Sequence, residues 1–130
     1  MFKAKDVGTR MVITTRPDMP IYDAMRLLTS RNITGLPVVD ADLNLVGVLS
    51  EKDVLKLLYE TADRSDQTVA DYMNTEVVTL DANATLMDLC DCLIDGSFRR
   101  VPLTEDGKLY AIAGTSDVIR GILRVERQAV

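Results

Sequence analysis

A chain of 130 residues, 47% hydrophobic and 27% charged, has the size and make-up of one globular domain able to bury a core without staples. Its 15 basic and 20 acidic residues leave a net charge of −5, which argues against a general nucleic-acid binder but not against a small phosphate ligand held by a local arginine cluster. With no His and only two Cys, without a signal-peptide pattern or an apolar run of membrane length, the composition points away from nucleophilic hydrolysis, a disulfide framework and a membrane, and towards the cytoplasm.

The first copy of a repeated pattern begins with "AKDVGTR" and the extended piece "MVITT". A helix is expected over Pro20–Ser30, with Asp18 near its start and Ile21, Ala24, Met25 and Leu28 at helical spacing. Two short strands, "LPVVD" and "LVGVLS", are joined by the turn-rich "ADLN" as a hairpin. A helix over Asp53–Thr61 closes the copy, and the polar, aperiodic "ETADRSDQT" reads as linker. The second copy repeats the order: "EVVTL", a helix over Leu86–Ile94 with Asn83 near its start, the strands "VPLTE" and "LYAIA" around "DGK", and a helix over Asp117–Arg124.

The two copies superimpose at an offset of 65 up to the hairpin, where Pro37 meets Pro102, and 64 after it, where Asp53 meets Asp117; upstream, Asp6 meets Asp71. The expected division is 1–62 for the first repeat, 63–69 for the linker and 70–130 for the second. Each copy alone is of marginal size for a core, so the two are expected to act as one unit. Cys90 and Cys92, two apart on a helix, do not share a face and read as small buried thiols rather than a metal site. Met25, Met73, Met87 and the tyrosines read as core.

The ordered set "VADYMNTEVVTL", "RNITGLPVVDADLNLVGVLSEKDVL" and its second version resembles the cystathionine-β-synthase (CBS) domain family in its tandem form, a Bateman module. The resemblance implies an α+β fold of two pseudo-symmetric β-α-β-β-α repeats packed sheet to sheet, with two clefts between them. It implies a non-catalytic sensor module that takes AMP, ADP, ATP or S-adenosylmethionine, dimerises through its helices and regulates a partner. The alternative is a ligand-free dimerisation or interaction module of the same fold. No obligatory cofactor, metal, nucleic acid or membrane is implied.

The stretch "GVLSEKD" admits two readings. Ser50 and Asp53 fit a capping box worth on the order of 1 kcal/mol. The same geometry offers a phosphate free N–H groups and the Ser50 hydroxyl, a ribose the Asp53 carboxylate, and a ligand the open side of Gly47. In the resembled family this is the ribose–phosphate motif. The resemblance pairs Gly47, Val48, Ser50 and Asp53 with Val77, Val78, Phe98, Arg99 and Arg100 in a first cleft. It pairs Ile112, Gly114, Ser116 and Asp117 with Val12, Ile13, Ile33 and Thr34 in a weaker second cleft, where Gly114 stands in place of the serine. Leu57, Leu58, Ile94, Ile119 and Leu123 are expected on a dimer face.

Overall fold

The computed structural model describes residues 3–10, 12–59, 66–96 and 99–129. Two compact units divide the chain, one formed by Ile13–Val77 and the other by Met1–Val12 together with Val78–Val130. The units therefore do not follow the sequence repeats. Each contains one helix-and-hairpin copy, but the lead-in segment of each copy belongs to the other unit.

In the Ile13–Val77 unit, α2 (Ile21–Ser30) precedes the antiparallel pair β1 (Gly35–Val39) and β2 (Leu45–Ser50), followed by α3 (Glu51–Leu55) and a tighter turn over Lys56–Tyr59. The helix expected over Asp53–Thr61 thus begins at Glu51 and tightens after Leu55; its last positions lie outside the described residues. The piece "MVITT" forms no strand of its own, although Thr15 bridges Val38 in parallel fashion. Asp40 shapes the hairpin turn by accepting from the N–H groups of Asp42 and Asn44 at 2.9 and 3.0 Å, and Leu43 takes a φ of 68°. Ile21, Ala24 and Leu28 from α2, Leu36 and Val38 from β1, Leu49 from β2 and Val54 from α3 form the core. Val69 completes it from the lead-in of the second copy, held by Val69 N–H to Met19 O and Ala70 N–H to Pro17 O, both 2.9 Å.

The other unit repeats this plan. α1 (Ala4–Val7) is the lead-in. β3 (Leu80–Asp81) pairs in parallel with β4 (Arg100–Glu105), and β4 pairs antiparallel with β5 (Lys108–Gly114). Asp106 and Gly107, with φ of 54° and 79°, make the two-residue turn that "DG" predicts. α4 (Leu86–Asp95) is capped by Thr85, whose Oγ1 accepts from Asp88 N–H at 3.1 Å; Asn83 lies outside the cap. The closing helix α5 runs over Thr115–Ala129, longer than expected at both ends. No Gly or Pro follows Arg124, and Arg, Glu, Gln and Ala all support helix. Leu89, Val101, Leu103, Ala111, Ala113 and Val118 build the core, and Ala4 and Val7 close it from α1. Ala4 N–H donates to Ala84 O at 2.7 Å and Lys5 N–H to Ala82 O at 2.9 Å.

The methionine and tyrosine expectation holds in part. Met25, Met73, Tyr22 and Tyr72 pack on the first core and Tyr110 on the second, whereas Met87 and Tyr59 are 68% and 89% exposed. Cys90 and Cys92 are partly buried and unpaired, and no cluster suited to a metal ion occurs among the described residues. No helix among them is long and apolar enough to cross a membrane.

Candidate functional site

Antiparallel pairing brings the two ends of each hairpin together. In the second unit Arg100 pairs with Gly114, which places the Arg99–Arg100 pair beside the turn that starts α5. Gly114 is buried, and a methyl group there would lie 2.9 Å from Arg99 O and 3.1 Å from Arg100 Cγ. The missing side chain lets the arginine backbone and stem lie across the helix start.

Asp117 is fixed from two sides. Gly114 N–H donates to its Oδ2 at 2.7 Å, and Arg120 forms an ion pair with its Oδ1. This is the carboxylate half of a capping box, which needs only a backbone N–H at the cap position, so Asp117 persists although Gly114 replaces serine. Only 11% of the Asp117 side chain is exposed, against 57% for Arg120.

These groups line a cavity of about 530 Å³ that also takes in Thr9, Ile112, Thr115 and Ser116. Thr9 reaches it because Thr9 and Ile112 exchange backbone hydrogen bonds of 2.8 and 3.0 Å. Three arginines and one carboxylate line the cavity, with Arg120 paired to that carboxylate, and the start of the 15-residue α5 lies at the same place. Such an arrangement accepts an anion and leaves hydroxyls of a ligand a carboxylate to meet. The volume lies in the range of small-molecule sites.

In the first unit the same register pairs Gly35 with Ser50, and Glu51 N–H donates to Thr34 O at 2.9 Å. Ser50 and Asp53 form the full capping box: Asp53 N–H donates to Ser50 Oγ at 3.3 Å, while Ser50 N–H and Ser50 Oγ both donate to Asp53 Oδ2 at 2.8 Å. Gly47 is buried because the 69–74 segment lies on it: a methyl group there would meet Met73 Sδ at 2.9 Å and Asn74 O at 3.0 Å. Its open side is filled by the protein, not left for a ligand. Val48 is held to Asn74 by paired 2.9 Å backbone bonds.

The grouping therefore differs from the expected one. The arginine pair and the Asp117 turn, assigned in sequence to separate clefts, line one cavity, while Thr34 stands beside the Ser50–Asp53 cap. The physical reason is that both partners in each case are the ends of one hairpin. Of the other expected residues, Val12, Ile13, Ile33 and Val77 are half-buried and Val78 is 52% exposed; Phe98 lies outside the described residues. Sequence reasoning missed Thr9, Thr115 and Arg120. The first is brought in by the lead-in exchange, and the last was legible as an ion pair three residues beyond Asp117.

A helix-and-hairpin unit present twice, each copy ending in an acid-capped helix, defines a tandem β-α-β-β-α repeat module. The CBS domain family model matches residues 4–60 and again 69–124, and the chain belongs to that family as a tandem CBS pair. The CBS domain-containing protein YhcV of Bacillus subtilis is 32% identical over 120 residues, covering 91% of this chain and 84% of that one. The chloroplastic CBSX2 of Arabidopsis thaliana is 29% identical over 141 residues, covering 87% of this chain and 59% of that one. The crystal structure of CBSX2 in complex with AMP superposes with a TM-score of 0.84 at 30% identity, over 97% of this chain and 99% of that one. The chain spans only 41% of another relative, the uncharacterized protein MJ1225 of Methanocaldococcus jannaschii, at 25% identity over 116 residues.

Proposed function

We propose that this chain is a non-catalytic sensor module that binds an adenine nucleotide in the cavity of the second unit. The observation that carries the reading is that Arg99, Arg100, the start of α5 and the Asp117 carboxylate fixed at that start line one cavity. The arginines and helix N–H groups take phosphate, and Asp117 accepts from ribose hydroxyls through the lone pairs that Gly114 and Arg120 leave open. CBSX2, a related CBS pair, was solved with AMP. A cavity with an excess of positive charge favours a nucleotide over S-adenosylmethionine, whose sulfonium brings a further cation. The Ser50–Asp53 turn, which satisfies its own polar groups and has Thr34 in place of an arginine, is the weaker site.

As a sensor the module needs no chemistry of its own. A ligand that binds one arrangement of the β4–β5 hairpin and α5 better than others shifts the population by its differential affinity, and a regulated partner reads that shift. Exposed Ile94, Ile119 and Leu123 of the second unit, at 73%, 52% and 53%, supply a homodimer face. Titration calorimetry with AMP and adenosine tests the reading: AMP should bind at micromolar concentrations and adenosine far more weakly. Absence of binding by either below millimolar leaves an interaction module of CBS fold.

A further inference from the structure

α5 continues past the nucleotide cavity with a row of arginines that the reading above does not use. Arg120, Arg124 and Arg127 follow one another at spacings of four and three, which places them on one helix face. With Leu123 they line a second cavity of about 230 Å³. Arg120 lines both cavities, so the two adjoin at its side chain. Arg124 spends one N–H on Asp6 O at 3.0 Å, and a guanidinium has five. No acidic residue lines the second cavity.

The geometry points to a polyphosphate subsite: the arginine row of α5 receives the β- and γ-phosphates of a nucleotide whose α-phosphate sits at Arg99 and Arg100. This rests on the nucleotide reading of the first cavity. The charges support it. Arg99, Arg100 and Arg120 against Asp117 leave an excess of two positive charges in the first cavity, which a monophosphate with about two negative charges neutralises. Arg124 and Arg127 add two more, matching the about two further charges that two additional phosphoryl groups bring. Helix-dipole compensation also favours arginines in the last turns, but it gives no reason for them to line a cavity that adjoins the first. Arg120 is the pivot, since it can keep its ion pair with Asp117 or turn to phosphate.

Calorimetry at low salt with AMP, ADP, ATP and inorganic tripolyphosphate on the whole chain tests this. Affinity should rise from AMP to ADP to ATP. The double variant Arg124→Ala with Arg127→Ala should lose the preference of ATP over AMP, roughly tenfold or more for the charge-assisted bonds removed. The preference should shrink as salt rises. Arg127→Ala alone serves where loss of the Arg124 contact with Asp6 O unfolds the double variant, and should lose part of the preference. Equal affinity of the wild type for AMP and ATP, or parallel loss of both in the variants, overturns the subsite while leaving the nucleotide reading intact. Tripolyphosphate binding that depends on Arg127, with no binding of any adenosine compound, overturns the nucleotide reading and leaves an anion site. No binding of any of the four overturns both.

Discussion

Gly47 and Met73 are fitted to each other, with Met73 Sδ occupying the space that a side chain at position 47 would need. The equivalent pair in the other unit is Ala111 and Gly8, where a methyl group on Gly8 would lie 3.2 Å from Ala111 Cβ and 3.0 Å from Leu103 Cδ1. The small residue sits on the strand in one unit and on the lead-in segment in the other. Each interface has room for one side chain, and the two copies have put it on opposite sides. Gly47→Ala should therefore cost about 1–3 kcal/mol by overpacking, read from urea unfolding. Adding Met73→Ala should recover part of that loss, because Asn74 O at 3.0 Å remains in place. Full additivity of the two substitutions would refute the fit.

Asp117 joins helix capping to ligand binding, and two substitutions separate the roles. Asp117→Asn keeps an acceptor for Gly114 N–H but loses the charge opposite Arg120. It should lower stability by less than the about 1 kcal/mol expected of Asp117→Ala, yet both should weaken AMP and adenosine together, since both carry ribose. Thermal melts beside calorimetry distinguish the effects.

Gly114→Ser would restore the residue that the first repeat carries at this place. Its Cβ would meet Arg99 O at 2.9 Å and Arg100 Cγ at 3.1 Å. It should therefore displace the arginine pair and weaken phosphate binding, with adenosine binding less affected. A gain in AMP affinity would mean that the serine hydroxyl matters more than the close approach.

Burial, and to a lesser extent Asp95, pushes the Cys92 thiol up. A group that holds its proton longer when folded keeps its contribution below the ordinary thiol range, and stability then falls as pH rises towards the folded value. Cys92→Ser should flatten the decline above about pH 8.5, visible as a smaller shift of the urea midpoint between neutral and alkaline buffer. An unchanged slope would assign the decline to other groups.

Much of the architecture was legible because local chemistry specified it. The "DG" turn, the short apolar strands on either side of it, and the acids that close helix starts are short-range signals, and the structure contains each of them. Asp6 and Asp71 accept from the N–H groups of Lys3 and Thr68, both at 2.8 Å, so their equivalence in the repeat reflects a shared capping duty. What was not legible depends on partners distant in sequence. A repeat alignment equates Gly8 with Met73 but does not say which core either one covers. The same blindness separated Arg99 and Arg100 from Asp117, because the resemblance drew attention to neighbours across repeats while strand register joins the ends of a single hairpin. The open side of Gly47 was misread for the same reason, since its occupant comes from 26 residues further along.

Removal of residues 1–9 should loosen the second unit rather than the helix and hairpin that follow them in sequence. Ala4 and Val7 leave the core around Leu103, and the backbone bonds to Ala82, Ala84 and Ile112 are lost. Hydrogen exchange should accelerate in β3, β4 and β5 while β1 and β2 keep their protection. Uniform acceleration would mean that the two cores unfold as one.

The exchange of lead-in segments also has a consequence in time. On the ribosome α1 emerges well before the strands it covers, while the Ile13–Val77 unit completes once its closing segment is made. At about 5–20 residues per second, the α1 segment waits on the order of 5–20 s for β5. Its small apolar residues, Ala4 and Val7, and the charged Lys3, Lys5 and Asp6 beside them make a segment that is poorly sticky while it waits. The earliest part of this stretch to be synthesised is among the last to be built in, and once residue 80 has left the ribosome the nascent chain carries one complete core and one unclaimed cover.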